Sequence, residues 1–223
     1  MAETIQPDAR PRRPLPVILL HSAGRTPQMW QDQVEAIGGT AQLVAPWLAG
    51  LRPGRPAELS LPTAAAEVIS TMDRYGFERA RLVGHQFGAM VALEVAATEP
   101  DMVAGLVLSG AALTPSRAGL AIQKTLIRLM PKSALAGTGA SKADLLRALD
   151  VMASTNLGDR IDRIAAPALV LAGASDQTRI AGQQLAEALP HGDYVELAGA
   201  GAYPNIEAPA EYNRLLLEFL ASS

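Results

Sequence analysis

Residues 82–94 read LVGHQFGAMVALE, from Leu82 to Glu94. A short apolar strand runs into Gly84-His85-Gln86-Phe87-Gly88, and a helical pattern begins at once. Small residues on both sides of position 86, with Ala89 following, let a strand turn sharply into a helix and pack closely on it. The central residue of such a turn is strained and aimed into a pocket. Here that residue is Gln86, and an amide is not a nucleophile. The decisive question is what a turn built to present a reactive atom does when it presents glutamine.

Working outward, apolar runs alternate with longer segments of helical period. Strands are predicted over 16–21, 41–46, 80–85, 105–110, 168–173 and 194–199. Helices are predicted over 27–37, 61–75, from Phe87 onward, 179–189 and 208–220. Runs rich in Val and Leu on both faces belong in a parallel sheet covered by helices. Their alternation with helices predicts an α/β fold: a doubly wound, mainly parallel sheet of about six strands. One interval, about 112–165, holds no convincing strand. It carries two helical patterns, Ser116 to Met130 and a second that opens at Ser141 with Asp144 as a capping-box variant and runs to about Met152. In the first, Leu120, Thr125, Leu126, Leu129 and Met130 are read as roughly one side. Inserted after a strand, the pair predicts a small helical cap over the carboxyl edge of the sheet, where open α/β sheets bind ligands.

Composition narrows the functional classes. The chain has 223 residues, 49% of them apolar, enough for one substantial core at 16–223 behind a flexible tail at 1–15. The net charge of −3 is spread along the chain, and the one basic cluster, Arg10, Arg12 and Arg13, lies in the Pro-rich tail. Neither a nucleic-acid nor a membrane partner is expected. The absence of cysteine excludes disulfides, thiol catalysis and cysteine-ligated metals. The segment MAETIQPDARPRRPLP lacks a signal peptide's apolar core, and no run is long enough to span a bilayer, so a cytoplasmic location is expected.

Four segments in order resemble the α/β-hydrolase superfamily, over nearly everything from Pro16 to Leu220. VILLHSAG resembles the strand and loop that supply the first oxyanion-hole amide, with Ser22 where glycine is usual. GHQFG resembles the nucleophile elbow G-x-S-x-G. PALVLAGASDQ resembles the strand and turn that deliver the catalytic acid, which assigns that position to Asp176. ELAGAGAYPNIEAPAEYNRLLLEFL resembles the last strand, histidine loop and final helix. Three departures stand out. Gln86 replaces the nucleophile, Ala202 replaces the histidine, and Trp47-Leu48-Ala49-Gly50-Leu51 replaces an Asp-x-x-Gly-x-Gly stretch. The remaining histidines do not substitute. His21 and His85 match positions that members use for local structure, and His191 is expected at the opposite edge of the sheet.

What the resemblance leaves is a binding site without a hydrolytic engine. Losing the serine or the histidine of such a triad costs about a million-fold in turnover. The oxyanion donors, assigned to the amides of Ala23 and Phe87, would survive, with Gln86 adding a group that both donates and accepts. Substrate contacts are assigned to Ser22, His85, Trp47, Ser109, Met130 and Met152; Phe87 and Met90 are further candidates for the lining, with core packing the preferred place for Met90. The function expected is a cofactor-independent, non-hydrolytic enzyme of natural-product biosynthesis. It would act on a hydrophobic carbonyl-bearing small molecule by cyclisation, pericyclic ring closure, isomerisation or elimination. The alternatives are a catalytically silent homologue that binds a ligand or partner protein, and a residual or engineered-inactive hydrolase; alanine at 202 is open to reading as natural or as an engineered replacement of histidine.

Overall fold

The computed structural model describes residues 14–55, 57–113, 117–135 and 141–222. The arginines of the tail and Ser116 lie outside them, as do parts of the segment assigned to the cap. Six strands form one parallel sheet: β1 (Val17–Leu20), β2 (Leu43–Val44), β3 (Ala80–His85), β4 (Val103–Ser109), β5 (Ala168–Gly173) and β6 (Gly192–Leu197), in the order β2-β1-β3-β4-β5-β6. The helices are α1 (Gln31–Ile37), α2 (Leu61–Tyr75), α3 (Phe87–Thr98), α4 (Arg117–Leu129), α5 (Lys142–Ser154), α6 (Arg179–Ala188), α7 (Pro204–Glu207) and α8 (Pro209–Ser222). A 3₁₀ turn, Pro27–Trp30, precedes α1.

The four inner strands are buried along their whole length, as strands covered on both faces must be, whereas edge strand β6 is only partly covered. Side chains alternate between two cores. Ile18, Leu20, Leu82, Leu106 and Val170 face α2, α3 and α6. Val17, Leu19, Val83, Val107 and Leu171 face α1 and α8, where Trp30, Tyr212 and Leu216 fill the space. Edge strand β2 is two residues long, shorter than the 41–46 run predicted.

Helix α3 is apolar on every side because it is covered on every side: Phe87 through Ala97 are all buried. That includes Glu94, whose carboxylate takes a two-pronged ion pair from Arg160 (Nη1–Oε1 2.9 Å, Nη2–Oε2 2.6 Å). Phe87 and Met90 lie wholly inside the first core.

Helices α4 and α5 lie between β4 and β5 and pack on each other, forming a small helical cap. The capping box forms as the sequence predicts: Ser141 Oγ accepts the Asp144 N–H at 3.2 Å and Asp144 Oδ2 accepts the Ser141 N–H at 2.8 Å. Helix α4 departs from the expectation of one apolar side. Leu120 is buried, but Leu126 and Leu129 are 60% and 77% exposed. At 3.6 residues per turn Leu129 lies about half a turn round the helix from Leu120, so the apolar residues do not share a side.

The strand order fixes where a ligand can enter. From β1 the chain moves outward to β2, then returns to the other side of β1 as β3. The crevice at such a reversal opens at the carboxyl ends of the two diverging strands. These ends are the loop after Leu20 and the turn at Gln86.

Candidate active site

Gln86 sits at φ 47° and ψ −112°, and among the described residues it alone has positive φ without being glycine. The turn is held from both ends: Gln86 N–H donates to Ser109 C=O at 2.7 Å, and Gln86 C=O accepts the Met90 N–H at 3.0 Å. Backbone packing explains the flanking glycines. A β-carbon on Gly84 would lie 2.6 Å from the nitrogen and Cα of Ala89, and one on Gly88 would run into the carbonyl oxygens of Leu20 and His21. One on Gly110 would lie 2.8 Å from Gln86 Cγ. The strain at position 86 is therefore imposed by the main chain around it, and the side chain emerges half-buried at the switch point.

The facing loop follows β1. Arg25 N–H closes it onto Ser22 C=O at 3.2 Å, with Gly24 at φ 79°. His21 anchors it: Nε2 accepts the Leu48 N–H at 3.1 Å, so Nδ1 carries the proton and donates to Ser22 C=O at 2.9 Å. Burial lowers the His21 pKa to about 4, which keeps the ring neutral. Trp47 meets His21 edge-on at 5.2 Å and is half-buried. Helix α5 rests on this loop, since a β-carbon on Gly24 would lie 2.6 Å from Leu145 Cδ2. The amides of Ala23 and Phe87 make no hydrogen bond among the described residues. Phe87 opens α3, so its N–H is one of the unpaired donors at the positive end of that helix.

On the third side, the turn after β5 is tied to the loop before α7. Ser175 N–H and Oγ both donate to Ala200 C=O, at 3.0 and 2.8 Å. Asp176 is buried in this turn, and its carboxylate accepts two hydrogen bonds from Thr178. Oδ1 accepts the Thr178 N–H at 2.8 Å and Oδ2 accepts the Thr178 hydroxyl at 2.9 Å. Ala202 is exposed, and its loop is shaped by Glu207, whose carboxylate accepts the N–H groups of Gly201 and Tyr203. Below it Asn205 donates to Met29 C=O at 3.0 Å, and Gln33 bridges Asn205 C=O at 3.1 Å to Asn213 Oδ1 at 2.8 Å.

Between the elbow and this loop lies a stack that the sequence did not suggest. His85 is completely buried, with no hydrogen-bond partner for either ring nitrogen among the described residues and its pKa lowered to about 3, chiefly by burial and secondarily by Arg25. The Tyr203 ring packs on it at 4.9 Å, and the Arg25 guanidinium lies 4.5 Å from the centre of the Tyr203 ring. An arginine in the otherwise small-residue loop HSAGR, and an aromatic residue next to Ala202, were the available signals.

The other assigned residues are placed as follows. Ser22 and Ser109 are fully buried, their hydroxyls turned to Met29 Sδ (3.9 Å) and the Tyr212 hydroxyl (3.4 Å). Met152 packs against the first core from α5, and Met130 is half-buried just past α4. His191 is exposed, and its C=O accepts the N–H of Ala168 at the amino end of β5, away from the elbow. Among the described residues no group of three or more His, Cys, Asp or Glu could hold a metal ion, and no helix is long and apolar enough to cross a membrane.

Comparison with known proteins agrees with this architecture. A putative carbamate hydrolase, RutD, of Pseudomonas savastanoi pv. phaseolicola is 28% identical over 92% of this chain and 93% of its own length. The enol-lactonase of Burkholderia xenovorans LB400 superposes with a TM-score of 0.82 at 21% identity, covering 93% of this chain and 92% of that one. Rv0554 of Mycobacterium tuberculosis superposes with a TM-score of 0.82 at 24% identity, over 93% and 90%. The model of the alpha/beta hydrolase family matches residues 17–215. With that match spanning the sheet, the elbow and the loop of Ala202, the chain belongs to the alpha/beta hydrolase family.

Proposed function

We propose that this chain is a non-hydrolytic, cofactor-independent member of its family that holds a hydrophobic, carbonyl-bearing small molecule and promotes ring closure, isomerisation or elimination. The observation that carries the reading is a strained elbow kept intact around Gln86, beside two unpaired amides. The amides of Ala23 and Phe87 suit a carbonyl oxygen that gains negative charge, and such a donor contributes about 3 kcal/mol in comparable sites. Gln86 adds a donor and an acceptor at the same place. Carbamates and enol-lactones, named for the relatives above, share a carbonyl attached to a heteroatom, which supports a carbonyl ligand here.

Two features of the family positions argue against acyl transfer. The Gln86 amide is no nucleophile, and Ala202 has no group to take up or return a proton. His85 is neutral and enclosed. The simultaneous replacement of nucleophile and histidine by Gln86 and Ala202 supports a second reading, a silent homologue that binds a ligand without converting it. Native mass spectrometry with carbonyl-bearing polyketide and terpenoid compounds, followed by product analysis, separates the two: a new product that disappears in Gln86→Ala and Gln86→Glu supports the enzyme, and a retained, unchanged ligand supports the binder. Saturable hydrolysis of a short activated ester, scaling with wild-type protein, would sink both.

A further inference from the structure

Beside the loop of Ala23, residues 50–55 and Ala57 face the first turns of α5 across a cavity of about 230 Å³, lined also by Asp144 and Arg147. The segment Arg52-Pro53-Gly54-Arg55 is a type II turn by its chemistry: proline second, Gly54 third at φ 70°, and Arg55 N–H donating to Arg52 C=O at 3.2 Å. Such a turn holds its first and fourth Cα atoms within about 7 Å of each other. It therefore sets two of the arginines that line the cavity within one short turn, and Arg147 is a third lining residue.

Two of these three charges have no partner among the described residues. Neither Arg52 nor Arg55 makes a side-chain hydrogen bond or ion pair with any described residue. Asp144 is the one carboxylate among the described lining residues: Oδ2 accepts the Ser141 N–H and hydroxyl at 2.8 and 2.7 Å, and Oδ1 pairs with Arg147. The cavity thus carries three positive charges against one negative. It also adjoins the catalytic face, because α5 supplies both Arg147 to this cavity and Leu145 to the contact over Gly24.

We infer that this cavity is an anion-binding subsite, taking the carboxylate or phosphate group of a small molecule between Arg52, Arg55 and Arg147. Planar guanidinium forks match either group in paired hydrogen bonds, and about 230 Å³ accommodates such a group but not a large apolar body. Nothing in this assignment depends on what Gln86 does, and binding rather than turnover tests it.

Isothermal titration of the full chain with inorganic phosphate and, separately, with succinate reads the site directly. Saturable binding below about 10 mM that weakens as NaCl rises is expected for at least one probe. The tighter probe distinguishes phosphate from carboxylate. The double variant Arg52→Gln/Arg55→Gln, both residues exposed and outside the core, should weaken that binding about 100-fold, ten-fold for each charge-assisted hydrogen bond removed. Arg74→Gln, which removes one charge on α2, should move it less than about two-fold. No saturable binding of either probe, or equal losses in the double variant and Arg74→Gln, would overturn the assignment.

Discussion

Replacing Gln86 by glycine should make the protein more stable. The residue sits at φ 47° and ψ −112°, where a side chain costs about 1–3 kcal/mol and glycine costs none. Against this gain stands the extra freedom that glycine has in the unfolded chain, about 0.5–1 kcal/mol. The half-buried side chain gives up some packing, but it donates and accepts no hydrogen bond among the described residues. The hydrogen bonds that hold the turn, to Ser109 and from Met90, are made by the Gln86 backbone and persist. The net is a stabilisation of about 1 kcal/mol, which for a chain of this size raises Tm by about 2–4 °C. Gln86→Ala is the control. It keeps the β-carbon and the strain, so its Tm should stay at or below the wild-type value. Calorimetry on the three proteins decides the matter. A lower Tm for Gln86→Gly than for Gln86→Ala would show that the turn is not strained at position 86, and the account of the elbow would fail with it.

Three further outcomes follow from the same structure. His21 and His85 have folded pKa values of about 4 and about 3 against 6.5 when unfolded, so the unfolded chain takes up their protons first. Their contribution is complete above 6.5 and falls as the pH drops towards 4. At about pH 5.5 the two together withdraw about 3 kcal/mol; a urea midpoint unchanged between neutral pH and that point would contradict their burial. Glu94→Ala strands Arg160, and because Arg160 is 31% exposed the cost falls below that of a fully buried pair, to about 2 kcal/mol. Its Tm should therefore drop by about 4–8 °C, and a change within error would mean that solvent screens the pair. Finally, Gln86→Ser with Ala202→His should restore weak esterase activity. Adding Thr178→Val, which removes the hydroxyl that competes with the new imidazole for Asp176 Oδ2, should raise it about ten-fold. Equal rates with and without that third change would show that Thr178 does not obstruct the acid.

The features legible in the sequence are those encoded locally. The glycines at 84 and 88 announce a close strand-to-helix turn because no other residue fits the backbone contacts they make. Ser141 and Asp144 announce the start of α5 because both partners lie within one helical turn. The inner strands are readable from continuous apolar runs, since full burial removes any need for alternation. Illegible features depend on the chain meeting itself again. The stack of Arg25, Tyr203 and His85 joins three segments that only the β1–β3 crevice assembles. The Gln33–Asn205–Asn213 network spans the chain nearly end to end. On α4, composition suggests a packed side that the angular positions of Leu126 and Leu129 deny. The engagement of Asp176 by Thr178, two residues on, is local and within reach of the sequence, but a family pattern centred on histidine gives it no role.

The seating of Gly88 against the end of β1 has a consequence for how such a protein changes over time. Position 86 owes its conformation to neighbouring main chain, and its own side chain does nothing to create it. Geometry and chemistry are thereby inherited separately. A lineage can exchange the residue at the tip by single steps, each variant still folding and still presenting its side chain at the same place. Change at either flanking glycine would end the experiment. The turn is a socket that outlasts the tools fitted to it, and a library randomised at residue 86 alone should return mostly folded proteins in which new reactions can be sought.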